Sequence, residues 1–316
     1  MKLIIQIPCL NEEESLLKTI ADFPKKIAGI DQIEILIIDD GSKDNTSEVA
    51  RRSGAHHIVR LTKSKGLARA FQTGLDASLK RGADIIVNTD ADGQYKGEDI
   101  PRLVQPILEG KADIVIGNRD IENVQQFSWL KKRLQRLGTL VVRNVSGSNI
   151  ADATTGFRAY NREAALRLNI ISDYTYTLES IIQAEHKGLA IGNITIKTNE
   201  VTRPSRLFKS SFEYIKRSLV TIIRIYAMFN PFKLFMRLGG WSIFLGLLLG
   251  CRFLYYYLVG NGGGKIQSLL LAAVLLIVGF LFIVVGLVAD LISANRRLIE
   301  DTLLRVKKIE LQNKQV

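Results

Sequence analysis

The sequence predicts an α/β protein built on a mainly parallel sheet, with a pair of membrane-crossing helices at its C-terminal end. Three observations carry that prediction. Short apolar runs alternate with helix-forming stretches through the N-terminal part of the chain, as in βαβ units. Polar and acidic motifs follow those runs directly, so they fall at the carboxyl ends of the strands, where open α/β sheets bind ligands. Two late segments are each apolar over about the 20 residues that a bilayer crossing requires.

Leu3 to Ile7 is the first strand, and Pro8-Cys9-Leu10-Asn11-Glu12-Glu13-Glu14 leads into a helix with acidic residues in its first turn. Ile33 to Ile38 is the second, ending in Asp39-Asp40-Gly41-Ser42-Lys43-Asp44-Asn45-Thr46, where acid, turn and helix cap succeed one another. His56 to Arg60 reads as a third strand and Gly66 to Lys80 as a helix. Asp84 to Asn88 is the fourth strand, Pro101 to Glu109 a helix, and Ala112 to Ile116 a fifth strand followed by Gly117-Asn118-Arg119. A basic run inside a helix spanning Trp129 to Val145 and an apolar-periodic helix that Glu179 opens, ending near Lys187-Gly188, complete this part.

The stretch that these elements serve is Asn88-Thr89-Asp90-Ala91-Asp92-Gly93-Gln94. Two carboxylates spaced i, i+2 at a strand end, with a glycine to turn the chain and an amide close behind, can aim several oxygens at one hard divalent cation. Mg²⁺ or Mn²⁺ held by so few carboxylates keeps positions open for substrate phosphates. The same spacing also makes ordinary turns. Neither Gly-x-Gly-x-x-Gly after the first strand nor a P-loop lysine motif is present, which argues against a dinucleotide or P-loop site.

Composition narrows the partners. The 316 residues carry a formal charge of +12, and the excess gathers from Lys131 onward and around the apolar C-terminal segments. That placement favours an anionic membrane surface and phosphate ligands over a nucleic-acid groove. The two cysteines, Cys9 and Cys251, lie far apart, so no disulfide framework is expected and a reducing, cytosol-facing catalytic part is. Met1-Lys2 leads straight into a strand, with no signal peptide visible. His56, His57 and His186 lack metal-ligand spacing and read as structural.

From Leu207, the apolar residues Phe208, Phe212, Ile215, Leu219, Ile222 and Tyr226 recur at three- and four-residue steps, with Lys209, Lys216, Arg217 and Arg224 on other faces. This pattern suits a basic amphipathic helix in the membrane interface, although a helix packed on a soluble domain would share it. Leu238 to Val259 and Ile266 to Ala289 follow as spans joined by a short connection, with Arg252 near one end beside Tyr255 to Tyr257, where it can snorkel. Lys233 and Arg237 before the pair, and Arg296, Arg297 and Arg305 after it, place both termini in the cytosol. The expected organisation is a catalytic domain over 1–204, an interfacial helix over 205–232, the two spans within 233–295, and a charged cytosolic tail over 296–316.

Four motifs in order, Ile7-Pro8-Cys9-Leu10-Asn11-Glu12, Asp39-Asp40-Gly41-Ser42, Asp90-Ala91-Asp92-Gly93-Gln94 and Asp152-Ala153-Thr154-Thr155-Gly156-Phe157-Arg158-Ala159-Tyr160, resemble the family 2 glycosyltransferases of GT-A fold. Within that family they are most similar to polyprenyl-phosphate glycosyltransferases of the dolichyl-phosphate mannose synthase and bactoprenol glucosyltransferase type, and the likeness covers roughly residues 1 to 230. The resemblance implies a Rossmann-like GT-A domain that moves one sugar from a nucleotide sugar to an undecaprenyl or dolichyl phosphate with inversion. It implies that Pro8, Leu10, Glu12, Asp39, Asp40 and Ala91 line the donor, with Leu10 standing where tyrosine is common. Asp90, Asp92 and Gln94 would hold Mg²⁺ or Mn²⁺ on its diphosphate. Arg119, Arg133, Ser205 and Arg206 would meet the acceptor phosphate, Arg203 and Lys209 would close over the diphosphate, and Asp152 would position a substrate or cap a turn. A UDP-sugar such as UDP-glucose is the preferred donor, with GDP-mannose as the alternative.

Two further readings compete. A processive polysaccharide synthase would show Gln-x-x-Arg-Trp, whereas the tryptophans here are Trp129 and Trp241, neither preceded by arginine. A non-catalytic membrane scaffold would have little reason to keep both acids of Asp90-Ala91-Asp92. The paired spans and the basic helix also suit self-association into a homo-oligomer.

Overall fold

The computed structural model describes residues 1–119, 152–172, 175–199, 220, 223, 224, 226–260 and 266–313. Arg133 and its helix, Arg203, Ser205, Arg206, Lys209 and most of the expected interfacial helix lie outside these residues. The chain divides into two compact units, Met1–Ile222 with Leu304–Val316, and Ile223–Leu303.

The first unit is a seven-stranded sheet in the order β3-β2-β1-β4-β6-β5-β7. Its strands are β1 (Lys2–Cys9), β2 (Gln32–Asp39), β3 (His57–Arg60), β4 (Ile85–Asn88), β5 (Ile114–Arg119), β6 (Arg158–Asn161) and β7 (Ile191–Ile196). All neighbours are parallel except β6, which runs antiparallel to both β4 and β5. The helices are α1 (Leu16–Ala21), α2 (Thr46–Arg52), α3 (Leu67–Lys80), α4 (Ile100–Leu108), α5 (Arg162–Arg167) and α6 (Thr177–His186).

Leu3, Ile4, Ile5 and Ile7 in β1 are all fully buried, because a parallel strand covered on both faces has no solvent side to alternate with. On one face α3 packs on β1 and β2 through Ala68, Phe71 and Leu75, three residues at helical spacing. On the other, α1 and α4 supply Leu16, Ile20, Leu103, Val104 and Ile107 to the core. This is the mixed, mostly parallel α/β sheet of the GT-A type.

Register then sets the functional edge. Cys9 stands opposite Asp39, Asp39 opposite Arg60, and Gln6 opposite Asn88, so the segments after β1, β2, β3 and β4 emerge side by side. Because β6 is antiparallel, it starts at that same edge, with Arg158 opposite Asn88 and Ile116. The Asp152–Phe157 segment is thereby delivered to the strand ends.

The structure departs from the expected elements in three main places. The first helix begins only at Leu16, with no acid in its first turn, because Glu13 Oε2 accepts from Asn45 N at 2.9 Å and Asn11 Oδ1 accepts from Lys43 N at 2.8 Å. These long-range bonds hold the acidic stretch as a turn, with Asn11 in the left-handed region at φ 57°. Gly117, Asn118 and Arg119 belong to β5 itself, since β7 pairs with them as far as Arg119 opposite Ile196. Strands β6 and β7 add two elements that the apolar runs do not mark.

The second unit contains α7 (Pro231–Leu258) and α8 (Ile266–Gln312), both long and apolar enough to cross a membrane. Only 17% of each apolar window is buried within the chain, unlike a core helix of a water-soluble protein. They run antiparallel along a seam of small residues. A Cβ on Gly239 would meet the Gly279 carbonyl at 2.8 Å, one on Gly246 would meet the Ala272 carbonyl at 3.1 Å, and Ser242 Oγ donates to Leu275 O at 2.8 Å. Such close backbone approach is how helices associate where lipid removes the hydrophobic drive. The helix α8 continues past the apolar run to Gln312. In the first unit its last turns pair Lys307 with Asp76 and Lys308 with Glu163, while Glu310 meets Lys80.

Gly41 makes the fold-level test. It sits at φ 74°, and a Cβ there would lie 2.7 Å from the backbone of Lys63 and Ser64. Gly41→Ala should therefore destabilise the first unit by about 2 kcal/mol or more, seen as earlier thermal unfolding, whereas Gly54→Ala, with open space around it, should cost only about 1 kcal/mol.

Candidate active site

Asp90 and Asp92 stand at the end of β4, in the middle of the sheet edge. The Asp92 carboxylate caps its own turn, with Oδ1 accepting from Gln94 N at 3.0 Å. Burial pushes the Asp90 carboxyl up to about 7, the negative charge of Asp92 and Glu12 adds to this, and Arg119 and Arg158 work against it. A carboxyl whose proton is held by burial and by a neighbouring carboxylate is ionised more readily beside a cation. Among the described residues there is no cluster of three or more His, Cys, Asp or Glu, so the pair would supply only part of a coordination shell. Oxygen-only donors with open positions fit Mg²⁺ or Mn²⁺ whose remaining ligands come from phosphate and water.

The neighbours of Asp90 are fixed in turn. Arg119 leaves β5 and grips Asp152 through Nε at 2.7 Å and Nη2 at 3.2 Å, while Nη2 also donates to Thr154 Oγ1 at 2.7 Å. Burial opposes both charges, yet each partner's charge holds Asp152 below the usual carboxylate range and Arg119 above its ordinary value. The Arg119 side chain is 8% exposed and that of Asp152 only 1%. Arg119 thus carries its charge from within a pair, and Asp152 is engaged by Arg119 and Thr154.

Beneath the acids lies a polar network. Gln6 Nε2 donates to Asn88 Oδ1 at 2.9 Å, and Asn88 Nδ2 donates to the Gly156 carbonyl at 2.8 Å and to the Tyr176 hydroxyl at 2.8 Å. The Tyr95 hydroxyl accepts from Gly156 N at 3.2 Å and from Thr155 Oγ1 at 3.3 Å. Stacking of Tyr176 on Phe71, 3.9 Å between centroids, and of Tyr95 on Phe157, 5.1 Å, fixes both phenols. Burial raises both hydroxyls, that of Tyr95 to about 12, so they stay protonated. Arg158 is fully buried and ties Ala153 O and Thr155 O to Thr177 O of α6. Gln6, Tyr95 and Tyr176 lie outside the four motifs, and Arg158 lies inside the fourth with no role implied for it. The signal available was Gln6, a polar residue inside an apolar strand.

At the ends of β1, β2 and β3, an open hollow of about 790 Å³ is lined by Leu10, Asn11, Ser42, Arg60, Thr62 and Lys63. Leu10 presents 40% of its surface there, whereas Pro8 is buried within β1. Asp39 is fully buried, accepting from Ser42 N at 2.7 Å and from the Ser47 hydroxyl, with Arg60 Nε 3.5 Å away. Asp40 accepts from Lys65 N, Gly66 N and Ser64 Oγ, all within 2.9 Å. Both acids brace the rim of the hollow. Glu12 Oε2 accepts from Ser15 Oγ at 2.8 Å, and Glu12 N donates to Thr46 Oγ1 at 2.8 Å. Ala91 is buried, its carbonyl accepting from Thr19 Oγ1 at 3.0 Å. Gln94 O accepts from Asn199 N at 2.9 Å. Glu179 is buried under its own loop, accepting from Ile171 N and Ser172 N.

Comparison with known proteins bears on the family and the fold. The profile of glycosyl transferase family 2 matches residues 4–168. An undecaprenyl-phosphate mannosyltransferase of Micrococcus luteus is 32% identical over 184 residues, covering 56% of this chain and 74% of its own. Glycosyltransferase AglJ of Haloferax volcanii is 25% identical over 313 residues, 97% of each chain. Among solved structures, glucosyl-3-phosphoglycerate synthase of Mycobacterium tuberculosis, in complex with Mn²⁺, UDP-glucose and phosphoglyceric acid, superposes with a TM-score of 0.57 at 21% identity, covering 72% of this chain and 80% of its own.

Two outcomes test the site. A carboxyl that holds its proton to about pH 7 when folded, but only to about 3.9 when unfolded, favours the metal-free fold at low pH. That stability is lost as pH rises from about 4 to about 7, so Asp90→Asn should be the more stable protein above pH 7 without divalent metal, and Mn²⁺ should stabilise the parent alone; thermal unfolding at pH 5 and pH 8 reads both. A Cβ on Gly156 would stand 2.7 Å from the Tyr176 hydroxyl and 2.9 Å from Asp90 Oδ1. Gly156→Ala should therefore weaken Mn²⁺ binding at least about tenfold, a loss of about 1.4 kcal/mol by titration calorimetry.

Proposed function

The chain belongs to glycosyl transferase family 2, and from that premise we propose that it transfers a single sugar from a nucleotide sugar to a polyprenyl phosphate, leaving a lipid-phosphate-linked monosaccharide. The observation that carries this reading is the half-buried pair Asp90 and Asp92 at the end of β4 in a GT-A sheet, whose neighbour β1 helps frame an open hollow with β2 and β3. Two helices long and apolar enough to cross a membrane, in the same chain, supply the reason for a lipid acceptor. The name of the Micrococcus relative supports that acceptor class.

Asp90 and Asp92 would hold Mg²⁺ or Mn²⁺, which when bound would neutralise the charge that grows on the departing diphosphate. The hollow lined by Leu10, Ser42, Arg60 and Lys63 would take the nucleoside, with Asp39 and Asp40 shaping its rim. An acceptor phosphate is already largely ionised near neutral pH and needs no strong base. The closed Arg119–Asp152 pair agrees with such a reaction, because Asp152 is engaged and Arg119 acts as fixed positive potential near Asp90. Arg133, Ser205 and Arg206 remain candidate contacts to the acceptor phosphate, and Arg203 and Lys209 to the diphosphate. Direct in-line attack with inversion follows from positioning rather than from proton transfer. The catalytic unit and both termini would lie in the cytosol, following the charges that flank the spans.

A UDP-sugar such as UDP-glucose is the donor we favour. A UDP-glucose complex is known for the Mycobacterium structural neighbour. GDP-mannose is the second reading, favoured by the mannosyl relative.

Purified protein given undecaprenyl or dolichyl phosphate, Mg²⁺ or Mn²⁺, and a panel of UDP- and GDP-sugars should form one sugar-phosphate lipid with inverted anomeric configuration. EDTA should abolish it, and Asp92→Asn should reduce it at least about 10²-fold, given several kcal/mol of metal stabilisation. Nucleotide release without a lipid product, or a product that lengthens into polymer, would refute the acceptor assignment.

A further inference from the structure

Among the described residues of the second unit, Arg296 lacks the hydrogen-bond acceptors that its burial calls for. Arg296, on α8 beyond the apolar run, has Nε, Nη1 and Nη2 all buried, and none makes a hydrogen bond. Its guanidinium lies over the Phe229 ring, 4.2 Å from the centroid, which fixes its plane. Glu300, one turn further on, brings a carboxylate oxygen 2.7 Å from Nη2, an ion pair that leaves the N–H directions unfilled. Ser293, one turn before, donates to the Met228 carbonyl at 3.3 Å, holding this face of α8 to the segment that carries Phe229.

Position gives the feature its meaning. Phe229 immediately precedes Asn230, the N-cap of α7, whose first turn holds no acid. The seam pairs Gly246 with Ala272, Gly239 with Gly279 and Phe235 with Gly286, so Arg296 and Phe229 lie at the end of the hairpin where both apolar runs stop. A helix N-terminus attracts anions, a planar fork of N–H groups matches phosphate oxygens, and basic pockets between spanning helices suit lipid head groups. Buried guanidinium N–H groups without acceptors are costly, and a ligand anion removes the cost.

We propose that Arg296, seated on Phe229, binds the phosphate of a lipid at the membrane boundary, and that the polyprenyl phosphate acceptor is its ligand. The identity of that lipid rests on the proposed function; the phosphate site does not. In this arrangement Glu300 holds the guanidinium in place when no lipid is bound, and the phosphate takes the in-plane N–H groups that Glu300 leaves.

The test uses the full chain in phosphatidylcholine nanodiscs, titrated separately with undecaprenyl phosphate, phosphatidylglycerol and inorganic phosphate, with UDP-sugar binding followed in parallel. Arg296→Gln should weaken undecaprenyl phosphate binding at least about tenfold and change nucleotide-sugar binding less than about twofold, with Arg296→Lys intermediate because it keeps charge without the fork. Should Arg296→Gln fail to fold, Phe229→Leu should still lose about threefold in lipid binding. Binding of phosphatidylglycerol and not undecaprenyl phosphate, sensitive to Arg296, would keep the site and remove the acceptor reading. Response to inorganic phosphate as strong as to either lipid would overturn the lipid assignment. Unchanged binding of both lipids by a folded Arg296→Gln or Phe229→Leu protein would overturn the site.

Discussion

The first unit is arranged around an electrostatic problem. Two carboxylates, Asp90 and Asp92, share one partly buried strand end, and burial drives Asp90 toward its protonated form. Mutual repulsion of that kind is affordable only where the surroundings hold the acids in place and a cation resolves the charge. The sheet order answers the first need by putting β4 near its centre, with β1 on one side and β6 on the other. The antiparallel course of β6 answers it again, because a parallel strand there would carry Gly156 away from the acids instead of against them. The Gln6–Asn88–Tyr176 network then locks the backbone under the pair.

Positive charge is handled with similar restraint. Arg119 and Arg158 both lie close enough to Asp90 to lower its proton affinity, yet neither makes a direct bond to it. Arg119 is committed to Asp152 and Thr154, and Arg158 to carbonyls of the same loop. A direct arginine salt bridge would quench the acids and close the position that a metal needs. Potential supplied from a short distance leaves that position open. Asp152 is buried with Arg119 and Thr154, to which it is bound.

Much of this arrangement was readable in the residues. Apolar runs such as Leu3 to Ile7 mark their strands because burial on both faces removes any competing pattern. The acids at the ends of β2 and β4 could be placed because a strand end fixes where the next residues must be. What escaped was determined at long range. Strand β6 has only four residues, and its direction depends on pairing with two strands distant in sequence. β7 lies at the sheet edge and is half exposed, so its apolar pattern is weak. The acids after β1 carry every local sign of a helix start, but their bonds to the loop after β2 override it. Likewise, Asp39 and Asp40 could be read as ligands or as turn formers from sequence, and the hydrogen bonds around them favour bracing. No local pattern distinguishes a carboxylate that meets a ligand from one that holds a loop.

The composition of the two units has a consequence for biosynthesis. The first unit is made of Met1–Ile222 together with Leu304–Val316, so the apolar hairpin is an insertion within it rather than an appendage. Leu311 is buried there, beside the ion pairs of Lys307, Lys308 and Glu310. Because a chain leaves the ribosome from its N-terminus, both apolar helices are synthesised before the residues that finish the unit. The residues that complete the first unit are thus synthesised after both apolar helices, and cutting the chain ahead of the hairpin removes a piece of that unit as well as the hairpin.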